Sequence, residues 1–227
     1  MIGLLLGVGL AVYGLSTFFD RRRTEAFTLA AQQLGFKYQH DGFPFQGGQV
    51  PVVPLFSKGR GHRFSHLLIG WTAGLDSVVF DYRYFAGRGK RSHGVQQTVA
   101  AYRWPFAIDL QLLPLTWKER VGALFGDKSI QFEDDPEFTE RWHVQGADQT
   151  AVRQFFTPAV RTYIERNLET DAGDSWNLEA NNCWVLMYQA EHRLKGSEVT
   201  EFIRTTSKVI TGLLQLAGQH QAKPKGT

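Results

Sequence analysis

The hydrophobic pattern changes character along this chain. Residues 1–19, "MIGLLLGVGLAVYGLSTFF", are apolar or small on every side, and charges follow at once in "DRRR". A soluble helix of that length needs a polar face. About nineteen residues at ~1.5 Å rise instead give ~29 Å, the thickness of a bilayer's hydrocarbon core. The pattern predicts a transmembrane helix over 1–19. Over 20–35 the spacing becomes amphipathic, with Phe27, Ala30, Ala31 and Leu34 on one stripe and Gly35 as a stop, so a juxtamembrane helix is expected there. A Gly- and Pro-rich stretch with short extended pieces follows.

Two-residue alternation then takes over. Residues 63–72, 77–85 and 95–104 are rich in β-branched and aromatic side chains and are joined by "AGLD" and "AGRGKRSHG", the signature of a meander. Further strands are expected over 106–112, 129–133 and 140–145, with an acidic loop "EDDPE" between the last two and a short helix around 117–126. Two helical pieces follow, one capped by Asp148 and one by Thr157 with Pro158 in its first position. Residues 176–180 and 183–189 read as a hairpin across Asn181 and Asn182. A last helix starts near Ser197 with Val199, Phe202, Ile203, Val209, Ile210, Leu213 and Leu214 on one face. Residues 36–217 thus form a soluble domain and 218–227 a disordered polar tail. Strands in runs, without βαβ alternation, give an α+β fold with a mainly antiparallel sheet flanked by helices.

Composition adds compartment and orientation. The 227 residues are 43% hydrophobic and 21% charged, enough apolar content for a real core. A single cysteine, Cys183, allows no internal disulfide and fits a reducing compartment; its strand alternation with Val185 and Met187 predicts that it is buried. The net charge of +3 is unevenly spread: from residue 20 to 104 there are 12 Lys and Arg against 5 Asp and Glu, and from 105 onward 13 against 17. The apolar segment has no cations before it and no cleavage site after it, unlike a secretory signal. Arg21, Arg22 and Arg23 flank its C-terminal end, so positive-inside reasoning places the N-terminus outside and the domain in the cytoplasm, anchored in a plasma (inner) membrane. Gly3 and Gly7 form a GxxxG that could bring two such helices together as a homodimer, although glycine is common in membrane helices anyway.

The stretch "VVFDYRYFAGRGKRSH" carries the candidate chemistry. On a strand, Val78, Phe80, Tyr82 and Tyr84 share one face, and Val79, Asp81, Arg83 and Phe85 the other. Asp81 reads as an ion-paired or cross-strand residue, held by Arg83, Gln97 or Thr98, because no second titratable group is marked beside it by spacing. The alternative is a membrane-tethered enzyme, such as a hydrolase, using Asp81 with His66 or His93. The loop is no P-loop: Tyr84 stands where a glycine is needed and Arg91 where Ser or Thr should follow Lys90. His62 and His66 lack a zinc-protease glutamate and, on a strand, lie ~13 Å apart, so no metal and no cofactor are expected.

What remains is electrostatic. Arg21, Arg22, Arg23, Arg60, Arg88, Lys90 and Arg91 are candidates for contact with anionic lipid headgroups or a protein partner, each worth ~1 kcal/mol near an anionic leaflet. Nucleic acid is a weaker candidate, given the small charge excess and the restricted access of an anchored domain, and no nucleic-acid partner is expected.

The string "FDYRYFAGRGKRSHGVQQTV", with "PLFSKGRGHRFSHLLIG" before it and "QFEDDPEFTERWHVQGADQTAVRQFF" after it, resembles a group of uncharacterised bacterial proteins. These share an F-D-Y-x-Y strand, a Gly/Lys turn and Q-T-V, and often carry an N-terminal membrane segment. The resemblance spans about residues 36 to 156. It implies a bacterial source and brings no activity, cofactor or catalytic residue. The expected function is that of a membrane-anchored binding or scaffold module.

Overall fold

The structure, a computed structural model, describes residues 20–45, 50–115, 129–168, 176–181 and 183–221. The expected membrane segment, the short helix around 117–126 and residues 222–227 lie outside them. Among the described residues no helix is long and apolar enough to cross a membrane.

Eight strands form one sheet: β1 Lys37–Asp41, β2 Arg60–Thr72, β3 Leu75–Ala86, β4 His93–Arg103, β5 Leu110–Pro114, β6 Trp142–Gln145, β7 Trp176–Ala180 and β8 Trp184–Gln189. Their order is β1-β2-β3-β4-β8-β7-β5-β6, and every pairing is antiparallel. The helices are α1 (20–34), α2 Pro54–Ser57, α3 Pro136–Arg141, α4 Gln149–Phe155, α5 Pro158–Leu168 and α6 Val199–Gln221. The α+β class, the meander and the 176–189 hairpin follow the sequence reading.

Alternation along the strands separates two cores. One face carries Leu68, Val79, Ala100, Leu112, Leu178 and Met187, covered by Phe27 and Ala31 of α1, Ile164 of α5 and Ile203 and Ile210 of α6. The other carries Leu67, Val78, Phe80, Tyr82, Val99 and Tyr188, covered by Phe45, Val53 and Leu55. The β2–β3 ladder shifts register twice, between Arg60 and Arg63 and again near its middle. Ser65 pairs with Asp81 and Leu68 with Val79, so His66 and Leu67 span the interval that Phe80 alone spans on β3. This β-bulge puts His66 at φ 51 and resets the parity of β2.

Several boundaries differ from the sequence reading. Residues 129–133 form no strand, although the Ile130 N–H donates to the Val144 carbonyl at 2.8 Å. The acidic loop contains α3, because Asp135 caps the Phe138 N–H at 3.2 Å and Pro136 suits a first helical position. Helix α6 continues to Gln221, into the stretch expected to be a disordered tail. Cys183 is exposed: Asn181 Oδ1 accepts from the N–H groups of both Cys183 and Trp184, so Cys183 belongs to the turn and β8 starts one residue later. The predicted caps hold, since Asp148 accepts from the Thr150 and Ala151 N–H groups and Thr157 from Val160.

Candidate functional site

Asp81 sits mid-strand opposite Thr98 and is buried. Its Oδ1 accepts from Arg23 Nη2 at 2.5 Å and Thr98 Oγ1 at 3.0 Å; its Oδ2 accepts from Arg23 Nε at 2.6 Å and Arg193 Nε at 2.9 Å. An ionised carboxylate offers about four acceptor sites, and all are engaged. Arg23 also donates to the Leu194 carbonyl and lies over the Phe27 ring. Asp81 therefore ties α1 and the 193–194 segment to the sheet. Two expectations change here. Arg83 is not its partner: it is an exposed residue whose guanidinium rests over the Phe85 ring. Arg23 is no surface contact for lipid, because its side chain is 10% exposed and turned inward.

Beside this node lies a cavity of about 430 Å³ whose lining includes Asp20, His40, Arg63, His66, Arg83 and Arg193. His66 borders it with Asp81 but bonds elsewhere: its Nε2 lies 3.2 Å from Asp20 Oδ1 and its Nδ1 3.0 Å from the Tyr38 hydroxyl. His40, from β1, places Nε2 3.2 Å from Asp20 Oδ2 and Nδ1 2.8 Å from Asp41 Oδ2. The ligand atoms of Asp20, His40 and His66 lie within 4.8 Å of one another. Burial lowers the His66 pKa, against the raising pull of Asp81 and Asp20. The bond to Asp41 raises that of His40. Burial works to raise the Asp20 carboxyl, but its bonds to His40 and His66 hold it below the usual value. The other histidines named in the sequence stand apart. His62 bonds the Tyr82 hydroxyl at 2.6 Å, and His93 is exposed at the start of β4.

The sheet end nearest this cavity is basic. β2, β3 and β4 meet there at Arg60, Phe85 and Gly94, while Trp71 and Tyr102 mark the far end. Arg60 braces the β3–β4 turn, donating to the Gly87 carbonyl at 2.8 Å and Ser92 Oγ at 3.1 Å. Gly87 takes φ 77, and a Cβ there would meet the Arg91 carbonyl oxygen at 2.4 Å, so the turn requires glycine. Arg88, Lys90 and Arg91 around it are exposed. Arg63 faces Arg83 directly across the strands, a like-charge pairing that Asp41 partly offsets at 3.0 Å from Arg63. Helix α1 begins at the level of His66 and Asp81 and ends near Phe36, whose ring packs where a Cβ on Gly70 would be. Its start therefore points toward the basic end. Arg21, paired with Glu25 at 3.3 Å, and Arg22 are exposed there.

The opposite face buries a second carboxylate. Glu179 accepts from the Leu55 N–H at 2.8 Å, Gln111 Nε2 at 3.0 Å and the Tyr188 hydroxyl at 2.7 Å. Burial, then Glu179, pushes the Tyr188 phenol well up; burial pushes Tyr84 up to about 12 and pulls Lys58 down. Neither this cluster nor the Asp20–His40–His66 group is marked by local spacing. The signal for the second group was present only as separate histidines, which strand register and the bulge bring together.

No protein-family model matches the chain, and no curated protein matches it in sequence. Among solved structures, the crystal structure of the mycobacterial trehalose monomycolate transport factor A, TtfA, is similar. The TM-score is 0.52 at 15% sequence identity, covering 87% of this chain and 95% of that one. The likeness is one of fold: a large antiparallel sheet with helices.

Proposed function

We propose that this chain is a single-pass membrane-anchored binding or scaffold module of a bacterial inner membrane, with its α+β domain on the cytoplasmic side and its basic sheet end against anionic headgroups. One observation carries the reading: the start of α1, directly after nineteen uncharged residues, points to the same sheet end as Arg60, Arg88, Lys90 and Arg91. A chain leaving the bilayer at Asp20 would bring that end down onto the lipid surface, where each nearby cation gains ~1 kcal/mol. Arg21 and Arg22 would join the contact; Arg23 would hold the domain to its stalk through Asp81. A scaffold role is also supported by the engagement of Asp81, which leaves it no lone pair for general-base work. TtfA, of the same fold, is named a transport factor, and an accessory part in transport is one form such a module would take.

The test uses the full chain reconstituted in nanodiscs. Amide exchange over 87–92 is expected to slow in an anionic bilayer relative to a zwitterionic one, and the R88E/K90E/R91E variant should abolish the difference. Equal exchange in both bilayers overturns the headgroup contact.

A further inference from the structure

We propose that Asp20, His40 and His66 bind one divalent transition-metal ion of the zinc class, fastening the first turn of α1 to β1 and β2. The inference does not depend on the membrane reading.

Four observations converge on it. Both imidazoles present the same nitrogen, Nε2, to one carboxylate, each at 3.2 Å from a different oxygen of Asp20. Ligands bonded at ~2.0–2.1 Å around a tetrahedral zinc ion stand ~3.3 Å from each other, so both N–O spacings suit a ligand pair as well as a hydrogen bond, and the three ligand atoms lie within 4.8 Å of one another. Next, each Nδ1 is already held from behind, by Asp41 on His40 at 2.8 Å and by the Tyr38 hydroxyl on His66 at 3.0 Å. Metal-binding histidines are oriented by such outer partners, which fix the ring and leave the other nitrogen's lone pair for the metal. In the neutral tautomer with its proton on Nδ1 toward Asp41, His40 offers its Nε2 lone pair on the side of Asp20, where a cation would take the place of the proton that otherwise bridges the two groups.

The third observation is backbone strain. His66 stands at φ 51, a conformation that non-glycine residues seldom adopt, and it does so in the bulge that turns its ring toward α1. Strain of this kind concentrates where geometry serves a site. Lastly, the three residues line the 430 Å³ cavity, so an ion has a way in and room for a water or anionic co-ligand on the side of Arg63 and Arg193. Two imidazoles and one carboxylate favour Zn²⁺ or Co²⁺ over Mg²⁺ and Ca²⁺, which prefer all-oxygen sites.

The experiment is a Co²⁺ titration of the full chain, purified in detergent and stripped with a chelator, followed by Zn²⁺ competition and metal analysis. One equivalent of Co²⁺ should bind with the visible bands of a four-coordinate N/O site, Zn²⁺ should displace it, and Mg²⁺ at equal concentration should not. His40→Ala and Asp20→Asn should lose stoichiometric binding, and Tyr38→Phe should weaken it by about 10–100-fold. His40 lies on the edge strand with a half-exposed ring, so its variant decides the matter even if His66→Ala fails to fold. Absence of stoichiometric binding to the wild-type chain overturns the site, as does equal affinity in the folded His40→Ala and Asp20→Asn variants; the group would then be a hydrogen-bonded triad only.

Discussion

Asp81 and Glu179 are buried on opposite faces of one sheet, 4% and 0% exposed, and are stabilised by different means. Asp81 is met by two permanent cations, Arg23 and Arg193, with Thr98 as the neutral donor. Glu179 is held by a backbone N–H, an amide and a phenol. The first arrangement joins distant parts of the chain through charge: Arg23 lies 58 and Arg193 112 residues from Asp81. The second fastens α2 against the sheet through dipoles. Removing Asp81 strands the buried Arg23 guanidinium; removing Glu179 strands neutral donors and withdraws a charge that supports the buried Lys58 amine.

The largest effect should therefore come from Asp81→Ala. Taking one partner out of a buried ion pair typically costs ~3–5 kcal/mol, because the remaining charge stays desolvated. Urea unfolding should show a loss of that order, and adding Arg23→Met should recover much of it. A loss below ~1 kcal/mol would mean that Asp81 is not the anchor of α1.

Glu179 sharpens the contrast. Glu179→Ala leaves the Leu55 N–H, the Gln111 amide and the Tyr188 hydroxyl without an acceptor, for an expected loss of ~2–3 kcal/mol. Glu179→Gln keeps an acceptor oxygen for Gln111 and Tyr188 but turns an NH2 toward the Leu55 N–H, and should cost ~1–2 kcal/mol. Asp81→Asn should cost more, since an amide cannot neutralise two guanidiniums. Denaturation of the two amide variants side by side should rank Asp81→Asn well below Glu179→Gln in stability; the reverse order would overturn the distinction.

Only half of this contrast is legible in the sequence. The meander can be read because its alternation is long, and the face of Asp81 and its neighbour Thr98 follow from strand parity. The guanidinium partners cannot, because the nearest candidate by spacing, Arg83, leans over Phe85 while distant arginines fill the site. His66 is hidden for a related reason. Simple alternation puts it on the face of Phe64, and only the bulge turns it toward Asp20 and α1. Local pattern marks most of the buried strand positions, though it misplaces Cys183; a one-residue irregularity or a contact across more than fifty residues decides what they meet.

The smallest predicted effect separates the two arms of the Asp81 node. Arg23 and Arg193 both reach the same carboxylate, but their side chains are 10% and 36% exposed. Water and salt screen the second arm and scarcely reach the first. Arg193→Ala should cost no more than ~1 kcal/mol, as exposed pairs do. The Asp81 charge remains neutralised by Arg23 in that variant, so nothing is left stranded. The cost should shrink further when unfolding is measured in high salt, whereas the cost of Asp81→Ala should hardly change, because its main loss is the desolvated Arg23. Equal salt sensitivity in the two variants would mean that solvent reaches the whole node, and Asp81 would then join Arg193 as a surface feature rather than the point that holds α1 to the sheet.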